Sequence, residues 1–240
     1  MEEKELKTSP KQRFFIILIA VVMLGSIIAS YIAIVMNGSK GSSGDTPSSI
    51  DEAKIMAYED AYNAQLAKFS EATKDDFNKF IEYKSRIKAY NETSANASGV
   101  EINDLVKGNG KKIVDDDNDY LAYYVGWCAD ETIFDSSFND NNNPTAFAKI
   151  LDASLGMIEG WVIGVDGMRM GGIREITIPG ELAYGDKMEI CGGYNKPLKF
   201  MVMAVANEEP LKTMATELDT AYMKLQYAYY GIDYDEEMGK

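Results

Sequence analysis

Between Gly160 and Gly185 the chain reads Gly-Trp-Val-Ile-Gly-Val-Asp-Gly-Met-Arg-Met-Gly-Gly-Ile-Arg-Glu-Ile-Thr-Ile-Pro-Gly-Glu-Leu-Ala-Tyr-Gly, and no other stretch limits the fold as much. Punctuated by glycine, Met157 to Met168 has room for one or two helical turns, and Ile173 to Ile178 follows with the period-two spacing of a strand. The glycines at 164, 167, 171 and 172 match neither G-x-G-x-x-G nor a P-loop, and no Lys-Ser or Lys-Thr follows. Tight turns at the ends of a short helix account for them better than a phosphate cradle.

The flanking segments extend the same pattern. Leu105-Val106-Lys107-Gly108-Asn109-Gly110 ends in a turn signal, Tyr120 to Trp127 is apolar on both faces as a central strand would be, and Leu198 to Val205 is a last β run. Asp115 to Asp119 invites a calcium reading, but the sixth loop position would be Tyr120 rather than Gly and the twelfth Gly126 rather than Glu, which leaves a solvated turn. Together these pieces predict an α+β domain, a small antiparallel sheet with one short helix across it.

Composition then removes whole classes of chemistry. With no histidine, His-dependent triads, His-ligated metals and histidine pH switches are excluded. A formal charge of −14 disfavours nucleic acid and anionic lipid as partners. Cys128 and Cys191 are too few and too far apart for a zinc cluster, which leaves one disulfide or two free thiols.

Outside residues 99–207 the organisation is modular. Residues 14–36 carry no charge and are rich in Ile, Val, Ala and Leu, long enough to cross a bilayer, for which about 20 residues suffice. A transmembrane helix is the expectation, with a long cleavable signal ending near Ala33 as the other reading. Lys4, Lys7, Lys11 and Arg13 precede the run and Lys40 alone follows it, which puts residues 1–13 in the cytoplasm and the rest outside the cell membrane. The Gly/Ser-rich segment 37–48 reads as a flexible linker. Residues 49–98 form a helical region with a capping-box pattern at Ser49 and Glu52, apolar positions at Met56, Ala61, Tyr62, Leu66 and Phe69, and a second start at Thr73 followed by Phe77, Phe80, Ile81 and Ile87. Its stripe either packs on the next domain or serves as a homodimer or client-gripping surface. Asn91 and Asn96 each open an N-glycosylation sequon in a surface break. From Pro210 to Tyr229 a clearer stripe, with Leu211, Met214, Leu218, Tyr222 and Leu225, predicts a C-terminal amphipathic helix within segment 208–240, packed on the amino-terminal helices or forming a client groove.

Six short elements in order carry a resemblance: Tyr124-Val-Gly126-Trp, Phe134-Asp135-Ser-Ser, Met157-Ile158-Glu-Gly160-Trp161, Gly167-Met168 with Gly171-Gly172, Leu182-Ala-Tyr184-Gly185, and Leu198-Lys-Phe200. Over about 105 residues, from near Glu101 to Asn207, the chain resembles an FKBP-type peptidyl-prolyl cis-trans isomerase domain. The resemblance implies a half-wrapped antiparallel sheet around a short helix and an apolar pocket between them. It places catalytic positions on Tyr124, Phe134, Asp135, Ile158, Trp161, Tyr184 and Phe200, with Met157 and Ile190 as further substrate contacts. Trp161 would form the floor, the aromatics the walls, and the Ile158 amide and Tyr184 hydroxyl would donate hydrogen bonds to substrate. It implies no cofactor or metal, and proline-containing unfolded or secreted polypeptides as partners. The chain departs from the family after Asp135, where Phe138-Asn-Asp-Asn-Asn-Asn-Pro144 lacks the usual arginine, so Asp135 loses an ion-pair partner. Cys191-Gly-Gly stands where Pro-Pro is common. Cys128 ends one strand and Cys191 precedes the last; antiparallel pairing of those strands would bring the two within disulfide reach, and a disulfide is the expectation in an oxidising exterior.

Overall fold

Among the described residues, short β-favouring runs separated by Gly, Asn and Asp turns produce six strands, and the two regions with helical spacing produce the flanking helices. The structure, a computed structural model, describes residues 52–114, 120–139, 141–144, 148–150 and 157–238. In chain order these are α1 (Glu52–Ala72), α2 (Lys74–Ile81), a 3-10 segment (Glu82–Arg86), α3 (Glu92–Ala97), β1 (Glu101–Val106), β2 (Tyr120–Trp127), β3 (Ile133–Ser136) and β4 (Ala148–Ile150). They continue as α4 (Glu159–Val165), β5 (Ile173–Ile178), a 3-10 turn (Gly180–Leu182), β6 (Leu198–Ala206), α5 (Leu211–Tyr229) and α6 (Tyr234–Met238). The apolar run 14–36, the linker, Ser49 and the acidic turn 115–119 lie outside the described residues. Among the described residues no helix is long and apolar enough to cross a membrane.

The sheet is antiparallel in the order β1-β5-β6-β2-β3, with β4 also pairing β2. β2 lies between β6 on one side and β3 and β4 on the other, which is why seven of its eight residues are buried. Both faces of this sheet are covered. On one, Leu121, Tyr123, Val125, Trp127, Met201 and Met203 pack with Phe69, Phe77 and Phe80 of α1 and α2 and with Ala215 and Leu218 of α5. On the other, Tyr120, Ala122, Ile176, Phe200 and Val202 pack with Trp161 and Val165 of α4.

The helical cover follows from sequence spacing. Tyr62, Leu66 and Phe69 recur at the helical period on α1, and α5 lies against that stripe, with Tyr62 and Tyr222 rings 5.8 Å apart. Phe69 and Phe80 are almost wholly buried, each contributing about 2 kcal/mol of apolar burial. At the junction of α1 and α2 the Thr73 hydroxyl donates to the Phe69 carbonyl and shares a hydrogen bond with the Tyr123 hydroxyl. The break that Thr73 marks in the sequence is thereby fastened to β2.

Two expectations need refinement. Gly164 is not at a turn: it lies inside α4, where a Cβ would come within 2.5 Å of the Ile176 side chain, so it lets the helix press onto β5. Gly167 and Gly171, at φ +74° and +78°, are the turn glycines. β5 also departs from simple alternation, because Arg174 is buried at 4 % exposure on the face it shares with Ile176 and Ile178. Its Nε donates to Asp104 on β1 at 2.6 Å, and its Nη1 donates to the Gly164 and Asp166 carbonyls at 2.9 Å each. The guanidinium satisfies carbonyls that the end of α4 leaves without helical partners.

Candidate active site

Close contact between α4 and β5 sets the floor of the site. A Cβ on Gly160 would lie 2.2 Å from Ile178 Cγ2, so the glycine brings the start of the helix onto the sheet and carries Trp161 with it. The indole is 2 % exposed, and its Nε1 donates to the Tyr120 hydroxyl at 3.3 Å. Phe200 stands edge-on to Trp161 at 5.2 Å between centroids, Tyr124 does so at 5.8 Å, and Phe134 meets Phe200 at 5.5 Å, all with interplanar angles near a right angle. Such edge-to-face pairs contribute about 0.5–1.5 kcal/mol each beyond the area they bury and hold the rings at fixed angles.

The strands deliver the remaining members. Gly126 on β2 lies opposite Phe200 on β6 and Asp135 on β3, and a Cβ there would strike the Phe134 ring at 2.5 Å and the Phe200 ring at 2.7 Å. The missing side chain is what lets both rings into the site. Tyr124 donates its hydroxyl to Asp135 Oδ2 at 2.7 Å. Burial raises the Asp135 carboxyl to about 6, while the Tyr124 hydrogen bond pulls the other way. Burial also lifts the Tyr184 hydroxyl to about 12, with the Asp135 charge adding to it, so at neutral pH Tyr184 is a donor. Tyr124 is raised for the same reasons and is likewise protonated. Met157, Ile158, Tyr184 and Ile190 are partly buried around the same cluster, with Ile158 in the extended conformation immediately before α4.

All nine residues singled out in the sequence therefore come together in one place. The hydroxyl of Tyr124 occupies Asp135 in place of the absent arginine. Cys128 and Cys191 form a disulfide with Cα atoms 5.5 Å apart, tying the residue after Ile190 to the end of β2. Sequence reasoning overlooked Tyr120, which orients Trp161. The signal was available, since Tyr120 and Tyr124 are four residues apart on one strand and so share a face. The loop 180–197, which bears Tyr184 and Ile190, is further held by residues from outside the sheet, which no local pattern announces.

Known proteins share the sequence of this region. The model of the family described as FKBP-type peptidyl-prolyl cis-trans isomerase matches residues 110–205. An FK506-binding protein of Neisseria meningitidis serogroup B is 40% identical over 90 residues, covering 36% of this chain and 75% of that protein. The chloroplastic peptidyl-prolyl cis-trans isomerase FKBP13 of Arabidopsis thaliana is 38% identical over 109 residues, covering 42% of this chain and 50% of that protein. A solved peptidyl-prolyl cis-trans isomerase from Pseudomonas syringae pv. tomato superposes with a TM-score of 0.36 at 24% identity, over 56% of this chain and 94% of that one.

Proposed function

The chain belongs to the FKBP-type peptidyl-prolyl cis-trans isomerase family, and on that premise we propose that it binds X-Pro segments of unfolded secreted or surface proteins and speeds their isomerisation. The observation that carries the reading is the fixed, edge-to-face cluster of Tyr124, Phe134, Trp161 and Phe200 with the hydroxyl of Tyr184 beside it. Rotation about X-Pro is slow because amide resonance, worth a barrier of roughly 18–20 kcal/mol, is lost in the twisted state. A water-poor aromatic pocket suits that less delocalised amide better than water does, and each 1.36 kcal/mol of preferential binding gives about tenfold in rate. Trp161 supplies the floor, Phe134 and Phe200 the walls, and the Tyr184 hydroxyl and Ile158 amide the donors to the substrate carbonyl. Asp135 holds Tyr124 in place by accepting its hydrogen bond and takes no part in proton transfer.

Cis/trans exchange of a short X-Pro peptide by the full-length chain, followed by NMR, tests this. Trp161→Ala should lower kcat/KM by about 10- to 100-fold and Tyr184→Phe by about three- to tenfold. Wild-type rates in both variants, or no rate in the parent, sink the enzyme reading. We further propose that residues 14–36 tether the protein in a membrane with residues 1–13 in the cytoplasm, supported by the uncharged run and its flanking lysines. Extraction of the protein by alkaline carbonate alone would remove that element.

One observation favours a second reading, a catalytically weak binding module. Between α1 and α5 lies an open groove of about 350 Å³, lined among others by Tyr58, Ala61, Gln65, Thr220, Ala221 and Lys224, none of them a pocket residue. In that case pocket variants leave the suppression of client aggregation intact and groove variants abolish it.

A further inference from the structure

The loop that carries Tyr184 and Ile190 is pinned from outside the matched domain. Asn96, on α3, accepts a hydrogen bond from the Gly180 amide at 2.7 Å through Oδ1, and its Nδ2 donates to the Asn195 carbonyl at 3.3 Å. Gly180 and Asn195 are themselves in contact, since a Cβ on Gly180 would lie 2.1 Å from the Asn195 oxygen. The ring closes through the Asn195 amide, which donates to the Gly185 carbonyl at 2.8 Å, and the Gly185 amide, which donates to the Gly180 carbonyl at 2.8 Å. Tyr184 lies in the turn between Gly180 and Gly185 that these bonds close. One turn earlier on α3, Glu92 pairs with Lys196 at 2.7 Å, and Tyr90 donates to the Pro197 carbonyl at 2.9 Å.

We propose that Asn96 is a positioning residue for the isomerase site, holding the Gly180–Gly185 turn and the strand entry at Asn195 together so that Tyr184 and Ile190 face substrate. It lies ahead of residues 110–205, the span that the family model matches, so the amino-terminal segment is part of the working site rather than a spacer. A side-chain amide suits the task because it offers an acceptor and a donor in one plane, one for each loop. This inference rests on the isomerase reading above for its kinetic consequence, and on geometry alone for the clamp.

The test compares full-length wild type, Asn96→Ala and Asn96→Asp by amide hydrogen exchange, by kcat and KM on an X-Pro peptide, and by that peptide's dissociation constant. Loss of two neutral hydrogen bonds should speed exchange at Gly180, Gly185 and Asn195 by about five- to tenfold in Asn96→Ala, with strand amides of β2 and β6 unchanged. KM and the dissociation constant should rise together by about three- to tenfold, with kcat less affected. Asn96→Asp keeps the acceptor and should restore protection at Gly180 while leaving Asn195 loosened. Unchanged exchange in Asn96→Ala, acceleration spread equally over the strands, or looser loops with unchanged KM and peptide affinity would each overturn the proposal. If wild type binds the peptide without turning it over, the isomerase reading fails, and the clamp stands or falls on exchange and peptide affinity.

Discussion

Asp135 holds its proton to about 6, well above its ordinary 3.8, because burial penalises the carboxylate more than the Tyr124 hydroxyl repays it. Between those two values the folded chain binds more protons at this site than the unfolded one, so stability is greatest at the acid end and falls as pH rises through the window. The full difference is about 3 kcal/mol as an upper figure, since Asp135 is only partly buried and retains some solvent. Asp135→Asn should remove this slope: urea unfolding at pH 4 and pH 7 should show a smaller acid-side advantage in the variant than in wild type. Equal slopes would mean that the carboxyl titrates normally. At this scale the sequence named the residue and its missing arginine, but not its partner. Tyr124 and Asp135 are 11 positions apart, and only the β2–β3 pairing turns that separation into a 2.7 Å hydrogen bond.

Among the elements, α4 is the one on which the site depends, and at seven residues it is too short to be stable on its own. It is held by Gly160 and Gly164 against β5 and by Arg174 at its carboxyl end. Arg174→Met keeps the apolar stem but leaves the Gly164 and Asp166 carbonyls without the guanidinium, which should cost about 2–4 kcal/mol of unfolding free energy. Asp104→Asn, by contrast, should cost about 1 kcal/mol, because Asp104 is a third exposed. Comparable losses in the two variants would place the stabilisation in the ion pair and not in the helix end. The sequence marked this helix by its glycine punctuation and marked α1 and α5 by their stripes. It marked β5 correctly as a strand but gave no sign that Arg174 turns inward, because a charge in an alternating pattern is ordinarily solvated and the carbonyls that welcome it come from ten and eight residues away.

Across the whole molecule, a sheet covered on both faces joins the pocket to the helical segments, and one covalent link spans it. The Cys128–Cys191 disulfide closes a loop with a sequence separation of 63 that contains β3, β4, α4 and β5. Cys128→Ser should cost about 2–4 kcal/mol through the added freedom of the unfolded chain. Thiol titration of the unfolded protein should find none before reduction and both cysteines after it; equal counts would remove the link. The residues proposed for the pocket came from the family resemblance that six ordered motifs carry, and composition excluded histidine chemistry, while periodicity alone determined the α+β class and the helical flanks. The last two are properties that local spacing encodes, since burial on a helix or strand repeats with a fixed period. Only the tertiary structure decided which face of the sheet the helices cover, that Tyr124 and not a cation meets Asp135, that Arg174 turns inward, and that Asn96 fastens the loop of Tyr184. Each of those depends on a contact between segments far apart in sequence, and such contacts are fixed by packing and hydrogen-bond satisfaction in the folded chain rather than by any local pattern.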